Sequence, residues 1–299
     1  KKVSEWHYHA DDLGMDTISL GAVLGFAMEL GERGMLDTKL HFGDPKGVTE
    51  LIQDIGHRRG LGHDLADGTK RMAAKYGGAE FAPHVKGLEL SAYDPRGSYA
   101  QGVEYATTNR GGCHVQGASM YLESVGPLTI NPQNKKLKAE LPIVQQNLAC
   151  AINSMVLCIF TTYGIIPRQV HEMDPSSLGY RALVFLFENS GPLFRWIQSV
   201  KGSPLLWFEK WLTLITGTKF SSGHLQEIGA RIFNLERMYN LREGLTAADD
   251  TLPGRILNEP TFEGMTAGHP LGELLPAYYR KRGWDENGVP LPKTLARLR

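Results

Sequence analysis

Apolar residues recur along the chain at intervals of three and four, the spacing that gives a helix one buried face. From Thr17 onward Ile18, Ala22, Val23, Phe26, Ala27 and Leu30 form such a stripe, with Asp16 as its N-cap and Gly31 and Gly34 placed to end it. Val48, Leu51, Ile52 and Ile55 form the next, and Asp44-Pro45 reads as its cap and first helical residue. A third helix is predicted over 64–76, stopped by Gly77-Gly78, and residues 83–98 read as irregular before a helix carrying Tyr99, Val103 and Ala106. Later stripes are Leu148, Ile152, Met155 and Ile159, then Leu183, Val184 and Phe187, then Leu205, Phe208, Trp211 and Ile215. Leu225, Ile228, Ile232, Leu235 and Tyr239 form the clearest, with Arg242 in its last turn and Gly244 after it. Sustained period-two alternation is missing, so the predicted class is all-α and multihelical with few or no strands. The stretch 124–142, with Gly126, Pro127, Pro132, Pro142 and the basic run Lys135-Lys136-Leu137-Lys138, reads as a surface connection, dividing the chain into helical domains at 1–130 and 131–299.

Composition narrows the function. Thirty-two basic and thirty-two acidic residues balance in a chain of 299, which gives no field to draw in nucleic acid or an anionic bilayer. The three cysteines, Cys113, Cys150 and Cys158, are an odd, unpaired set that suits a reducing, cytoplasmic setting better than a disulfide framework. The most apolar run, Leu148 to Ile166, carries Asn153, Ser154, Thr161, Thr162 and Gly164 and therefore reads as a buried helix, not a membrane span. Lys1-Lys2-Val3-Ser4-Glu5-Trp6 has neither an initiator Met nor a secretion signal, and reads as a cut.

Three clusters hold candidate chemistry. Asp11-Asp12-Leu13-Gly14-Met15-Asp16 precedes the first stripe and sets carboxylates at both ends of a glycine turn that leads into a helix N-terminus, an arrangement able to grip a polar heterocycle. On spacing alone, Asp16 capping a helix beside two solvated carboxylates is the plainer reading. In Asn109-Arg110-Gly111-Gly112-Cys113-His114, two glycines let the backbone approach a ligand closely and His114 offers a proton donor or acceptor near neutral pH; a glycine C-cap with a structural His is the plainer reading. Within the stripe of Leu148, Ile152, Met155 and Ile159, Asn153-Ser154-Met155-Val156-Leu157-Cys158 carries a thiol suited to a soft metal centre or to plain burial. A further run, Glu236-Arg237 through Asn240 and Arg242 to Asp249-Asp250-Thr251-Leu252-Pro253-Gly254-Arg255, reads as a structural turn held by ion pairs.

Together these runs, with Val85-Lys86-Gly87-Leu88-Glu89-Leu90, Tyr93-Asp94-Pro95-Arg96-Gly97 and Tyr278-Tyr279-Arg280-Lys281-Arg282-Gly283-Trp284-Asp285 in order, resemble the helical second and third domains of the tungsten-dependent aldehyde ferredoxin oxidoreductase family. The resemblance covers essentially the whole chain. It implies an oxidoreductase with a tungsten (or molybdenum) bis-pterin and a 4Fe-4S cluster, oxidising aldehydes to carboxylates and passing electrons to ferredoxin in the cytoplasm of an anaerobe. The family's D-x-x-G-L-D motif falls on Asp11, Gly14, Met15 and Asp16, which would contact one pterin. Its D-x-x-G-L-C motif falls on Asn153, Leu157 and Cys158, for the second pterin and one cluster ligand. Here Asn153 replaces Asp and Val156 replaces Gly. The histidine beside the metal matches His114 as the acid/base residue.

The other three cluster ligands belong to a C-x-x-C-x-x-x-C group upstream of the first motif, so a chain starting at Lys1 cannot assemble the cluster alone. The implied partners are an N-terminal domain of the same protein, ferredoxin or another electron-transfer subunit, and a second copy in a homodimer, with no nucleic acid and no membrane span. Two rivals stand beside this reading. One is a tungsten-dependent benzoyl-CoA-reductase-type catalytic subunit on the same fold. The other is a non-catalytic helical assembly subunit or remnant, favoured by Asn153 and Val156 and disfavoured by the retained His114, Asp16 and Cys158.

Overall fold

The computed structural model describes residues 1–161, 168–189, 207–261 and 268–299. In chain order these form α1 (Lys2–Asp12), α2 (Thr17–Glu32), α3 (Val48–Gly56), α4 (Leu61–Leu65), α5 (Thr69–Tyr76), β1 (His84–Val85), β2 (Leu88–Glu89), α6 (Tyr99–Thr107), α7 (Glu140–Ser154), α8 (Arg168–His171), α9 (Leu178–Asn189), α10 (Trp207–Thr216), α11 (Ser222–Arg242), α12 (Gly254–Asn258), α13 (Leu271–Arg282) and α14 (Pro292–Arg297). Apart from one two-stranded antiparallel hairpin, with Val85 opposite Leu88, the described residues are helical or irregular, which bears out the all-α expectation. Thr162, Gly164, Ile166 and Leu205 lie outside the described residues.

The helix starts show where local pattern is overridden. Asp16 caps α2 as expected, accepting from the Ser19 N–H at 2.7 Å. Asp44 instead accepts from the Lys46 N–H at 3.0 Å, and Gly47 takes a left-handed φ of 76°, so α3 starts at Val48 and Pro45 stays outside it. The single helix predicted over 64–76 is two, broken at Gly68 (φ 82°). There the Glu89 carboxylate accepts from the Thr69 N–H at 2.8 Å and its hydroxyl at 3.1 Å, capping α5 from the hairpin.

The described residues divide into two compact units. The first comprises Lys1–Asp94, Arg110–Cys113 and Asp249–His269; the second comprises Pro95–Asn109, His114–Ala248 and Pro270–Arg299. In the first, α2 is apolar on most of its surface and sits in the core, where Leu20, Val23, Phe26 and Leu30 meet Val48, Ile52 and Ile55 of α3, Leu65 and Met72. The 249–255 run is a strap, as the sequence suggests. Arg255 pairs with Glu29 and lies over the Phe81 ring, and Asp250 forms a fully buried ion pair with Lys86 at 2.8 Å.

In the second unit α7 lies against α11 so closely that a Cβ at Gly229 would overlap the Asn147 carbonyl. Around this pair, Tyr278 donates to Gln146 at 2.6 Å, Trp284 donates to Asn234 at 2.8 Å, and Arg282 lies over Phe233. The stretch 124–142 is not wholly on the surface. Ile130, Leu137 and Leu141 are buried, and Lys138, from the basic run, is drawn inside by Glu123 at 2.7 Å. Glu123 also accepts from the first N–H groups of α6, at Ala100 and Gln101, so this buried pair holds the start of a helix.

Among the described residues no single helix is long and apolar enough to cross a membrane; α1 and α2 pass together by length and composition, but they are bent by 117°.

Candidate functional site

Two turns carry most of the predicted site residues. In the first unit α1 ends at Asp12 and Gly14 turns left-handed at φ 69°. The Gly14 N–H donates to the Asp11 carbonyl at 3.1 Å, and the Met15 N–H reaches back to the Ala10 carbonyl at 2.8 Å. This is a helix C-cap that satisfies the last carbonyls of α1 and at once presents Asp16 as the cap of α2.

In the second unit the sequence places Asn153–Cys158 inside a helix, and the structure corrects this. Helix α7 stops at Ser154, and Val156 takes the left-handed position at φ 58°. The Val156 N–H donates to the Asn153 carbonyl at 3.0 Å and the Leu157 N–H to the Ile152 carbonyl at 3.3 Å. Cys158 follows at the head of a tight turn, its carbonyl accepting from the Thr161 N–H at 3.0 Å. The apolar run hid the helix end because the residue at the turn is Val, which carries no breaker signal. Consequently Cys158 is exposed, whereas Cys113 and Cys150 are buried.

The surroundings of the turns differ. Beside the first, a cavity of about 280 Å³ is edged by Met15, Asp16 and Ser19, and by Asp67, Gly68, Gly87 and Glu89. Its rim holds three carboxylates, acceptors for the ring N–H and amino groups of a heterocycle, and two glycines, 68 and 87, in turns with φ of 82° and 90°. Asp67, Gly68 and Glu89 were not singled out from the sequence; the tertiary cap that Glu89 places on α5 brings them in. Beside the second turn, a cavity of about 460 Å³ is walled by Met155, Leu157, Trp211, Leu212, Phe220 and Ile228 and is apolar.

His114 is half-buried. The glycines before it serve the fold. A Cβ at Gly111 would overlap the Val85 carbonyl, one at Gly112 would stand 2.6 Å from the Leu88 carbonyl, and the Gly112 N–H donates to Val85 at 3.1 Å. The close approach predicted there is to the hairpin within the first unit. In the second unit Val115, beside His114, packs against the same apolar cluster as Met155 and Leu157. Burial pushes the Cys150 thiol up to about 12, with the Glu236 charge adding to the effect, so Cys150 stays a thiol. Among the described residues no group of three or more His, Cys, Asp and Glu side chains is placed to hold a metal ion, so any cluster on Cys158 requires ligands from elsewhere.

Comparison with known proteins gives these turns a context. The whole chain, residues 1–299, matches the family model described as aldehyde ferredoxin oxidoreductase, domains 2 and 3. It is 38% identical over 304 residues to the tungsten-containing aldehyde ferredoxin oxidoreductase of Thermococcus kodakarensis, covering 97% of this chain and 44% of that protein. It is 28% identical to the aliphatic sulfonate oxidoreductase, WOR-like subunit, of Pyrococcus furiosus, covering 100% of this chain and 42% of that protein. Among solved structures, the active-site complex of benzoyl-coenzyme A reductase with 1,5-dienoyl-CoA shares the fold, with a TM-score of 0.62 at 19% identity over 95% of this chain and 44% of that one. The chain thus spans less than half the length of the curated relatives it matches. With a family match from end to end, this chain belongs to the aldehyde ferredoxin oxidoreductase family, whose domains 2 and 3 it carries.

Proposed function

We propose that this chain is the C-terminal part of a tungsten-pterin enzyme that oxidises aldehydes to carboxylates and passes the electrons through a 4Fe-4S cluster to ferredoxin. The observation that carries this reading is the pair of capped turns, alike in backbone, one ending in a carboxylate at an acidic cavity and the other in an exposed cysteine. The donor set at the first turn fits a pterin. Asp16 offers an acceptor at the cavity and Met15 brings the backbone to its edge, while Asp11, exposed beside His7, and Gly14 would meet the pterin from outside that lining. At the second turn Asn153 and Leu157 would hold the other pterin, the Asn side chain contributing one acceptor and two donors in place of a carboxylate. Cys158 would supply one of the four cluster ligands, and the remaining three would come from the N-terminal domain. The bound metal–pterin group supplies the two-electron redox chemistry.

The protein's own part is narrower. Oxidation of an aldehyde adds an oxygen from water and releases two electrons and protons, and His114 would take up a proton at a ring nitrogen as the carbonyl is attacked. The identity of 36–38% to enzymes named for aldehydes supports this substrate class over a thioester, for which the likeness is one of fold alone.

The test is intact mass with metal analysis of the full-length protein, followed by aldehyde turnover with ferredoxin or a dye as acceptor. Bound tungsten, about four irons per chain and aldehyde oxidation are expected. A metal-loaded protein that ignores aldehydes but reduces an aromatic thioester would establish the benzoyl-CoA-type alternative, and a full-length protein without metal would leave the assembly role.

A further inference from the structure

The segment carrying His114 has no helix or strand of its own between Asn109 and Gln116. In the second unit its flanks are held by one face of α11. Glu236 accepts through Oε2 from both sides of the segment, from Asn109 Nδ2 at 3.1 Å and from Gln116 Nε2 at 2.9 Å. One turn before it, the Phe233 carbonyl accepts from the same Asn109 amide at 3.0 Å; one turn after it, Asn240 Nδ2 donates to the Asn109 carbonyl at 2.9 Å. Residues 233, 236 and 240 stand at helical spacing of three and four, so these contacts come from one face of a 21-residue helix that is locked against α7.

We infer that Glu236 is the positioning residue for His114: a single carboxylate oxygen ties the two ends of the loop together and fixes where the imidazole stands. The inference rests on the acid/base role assigned to His114 above. Both donors are neutral amides, so the tie itself needs only an acceptor oxygen; the charge of Glu236 acts separately on the buried Arg282 and on Cys150. Glu236→Gln keeps an acceptor at that place and Glu236→Ala removes it. Gln116 is buried and its Oε1 has no hydrogen-bond partner, so once its amide loses Glu236 the side chain keeps only its contact with the Cys150 thiol, and its end of the loop is held less firmly. A loop end shifted by about 1 Å is enough to cost on the order of a hundredfold in rate.

The experiment uses the full-length holoenzyme and two readouts. Hydrogen exchange followed by mass spectrometry reads the peptide spanning 109–116, and kcat and KM are measured per bound tungsten across pH. Glu236→Ala should speed exchange in that peptide and lower kcat by about tenfold to a hundredfold with KM little changed, while Glu236→Gln keeps slow exchange, most of kcat and the wild-type pH profile. Should Glu236→Ala fail to fold, Asn240→Ala removes only the outer tie and must itself speed exchange at 109–116. The inference is overturned if Glu236→Gln is as damaging as Glu236→Ala, if it removes a limb of the pH profile, or if neither Ala variant changes exchange in the loop. If His114→Ala turns over normally, the functional reading fails, and the exchange results decide the clamp on their own.

Discussion

The turns at 11–16 and 153–158 are two versions of one device, and they differ in the side chains hung on it. Each ends a helix with a residue in the left-handed region, φ 69° at Gly14 and φ 58° at Val156, and each closes with the same pair of backbone hydrogen bonds. At the first, glycine makes the turn without strain and the flanking residues are carboxylates. At the second, a β-branched residue is forced into a region costly to L side chains, and Asn153 and Cys158 stand where the first has Asp11 and Asp16. The backbone shape is therefore set by the helices it joins and by its capping bonds, and glycine lowers the cost of the turn without being required for it. The chemistry each turn offers is left to its first and last side chains.

The sharpest separation lies in the last residue. In the full-length enzyme Cys158→Ser should abolish the cluster, with iron per chain falling to near zero and the fold intact, because the side chain is exposed and packs nothing away. In the isolated chain iodoacetamide at pH 9 should label Cys158 readily. Cys150, with its thiol at about 12, has only about one molecule in a thousand ionised at that pH and should stay unlabelled. Labelling of Cys150 at a rate like that of Cys158, or full iron content in Cys158→Ser, would break the comparison.

At the equivalent place in the first turn, Asp16 has two roles. Asp16→Ala removes the cap on α2, at about 1 kcal/mol, and takes one carboxylate from the cavity rim. Tungsten per chain is expected to fall by about tenfold, the loss of one charge-assisted hydrogen bond. Asp16→Ser separates the two roles, since it restores the cap and the melting temperature and leaves tungsten low. Recovery of both would reduce Asp16 to a helix cap.

How much of this was legible in the sequence follows the same division. The first turn could be read, since Asp16, Gly14 and the apolar stripe of α2 are signals within a few residues of one another. The second could not, since Val156 carries no turn signal and the apolar run continues through it; only the resemblance of Asn153, Leu157 and Cys158 to a known motif marked the place. Gly68 breaks a predicted helix because Glu89, twenty residues away, caps Thr69, and Lys138 is buried because Glu123 needs a cation. Glu236 sat in a run read as structural, and its link to Asn109 and Gln116 spans more than a hundred residues. Periodicity reports which face of a helix is buried; it does not report which distant carboxylate will satisfy its end.

Strain at the left-handed residue should be exchangeable between the turns. Val156 is 93% exposed, so Val156→Gly gives up almost no packing. It relieves about 1–2 kcal/mol of left-handed strain, offset by about 0.5–1 kcal/mol of extra chain entropy in the unfolded state. A net gain of about 1 kcal/mol is expected, read as a higher melting temperature. In the mirror variant Gly14→Ala the added Cβ meets nothing within 4 Å, so its cost is backbone strain alone and should be of similar size with opposite sign. If Val156→Gly destabilises, the second turn is held by its side chain and the two are not the same device.

The smallest effect tests the first residue of each motif. Asp11 and Asn153 both stand in the last turn of a helix, where a negative charge opposes the helix dipole at about 0.3–1 kcal/mol. Asp11 has His7 one turn earlier, 3.3 Å from its carboxylate, whereas the residue one turn before Asn153 is Ala149, which offers no charge. Asn153→Asp should therefore destabilise the isolated chain by a few tenths of a kcal/mol. Asp11→Asn should change it less, since it gives up the His7 pairing and the dipole penalty together. In the full-length enzyme the sign at position 153 should reverse if a pterin is held there, because a carboxylate facing ring N–H groups forms a stronger hydrogen bond than an amide oxygen does. Melting curves of Asn153→Asp with and without the metal–pterin group decide it. A loss of stability in both forms would mean that the second turn keeps the shape of a pterin grip without the contact, and that the carboxylate-bearing turn at 11–16 binds alone.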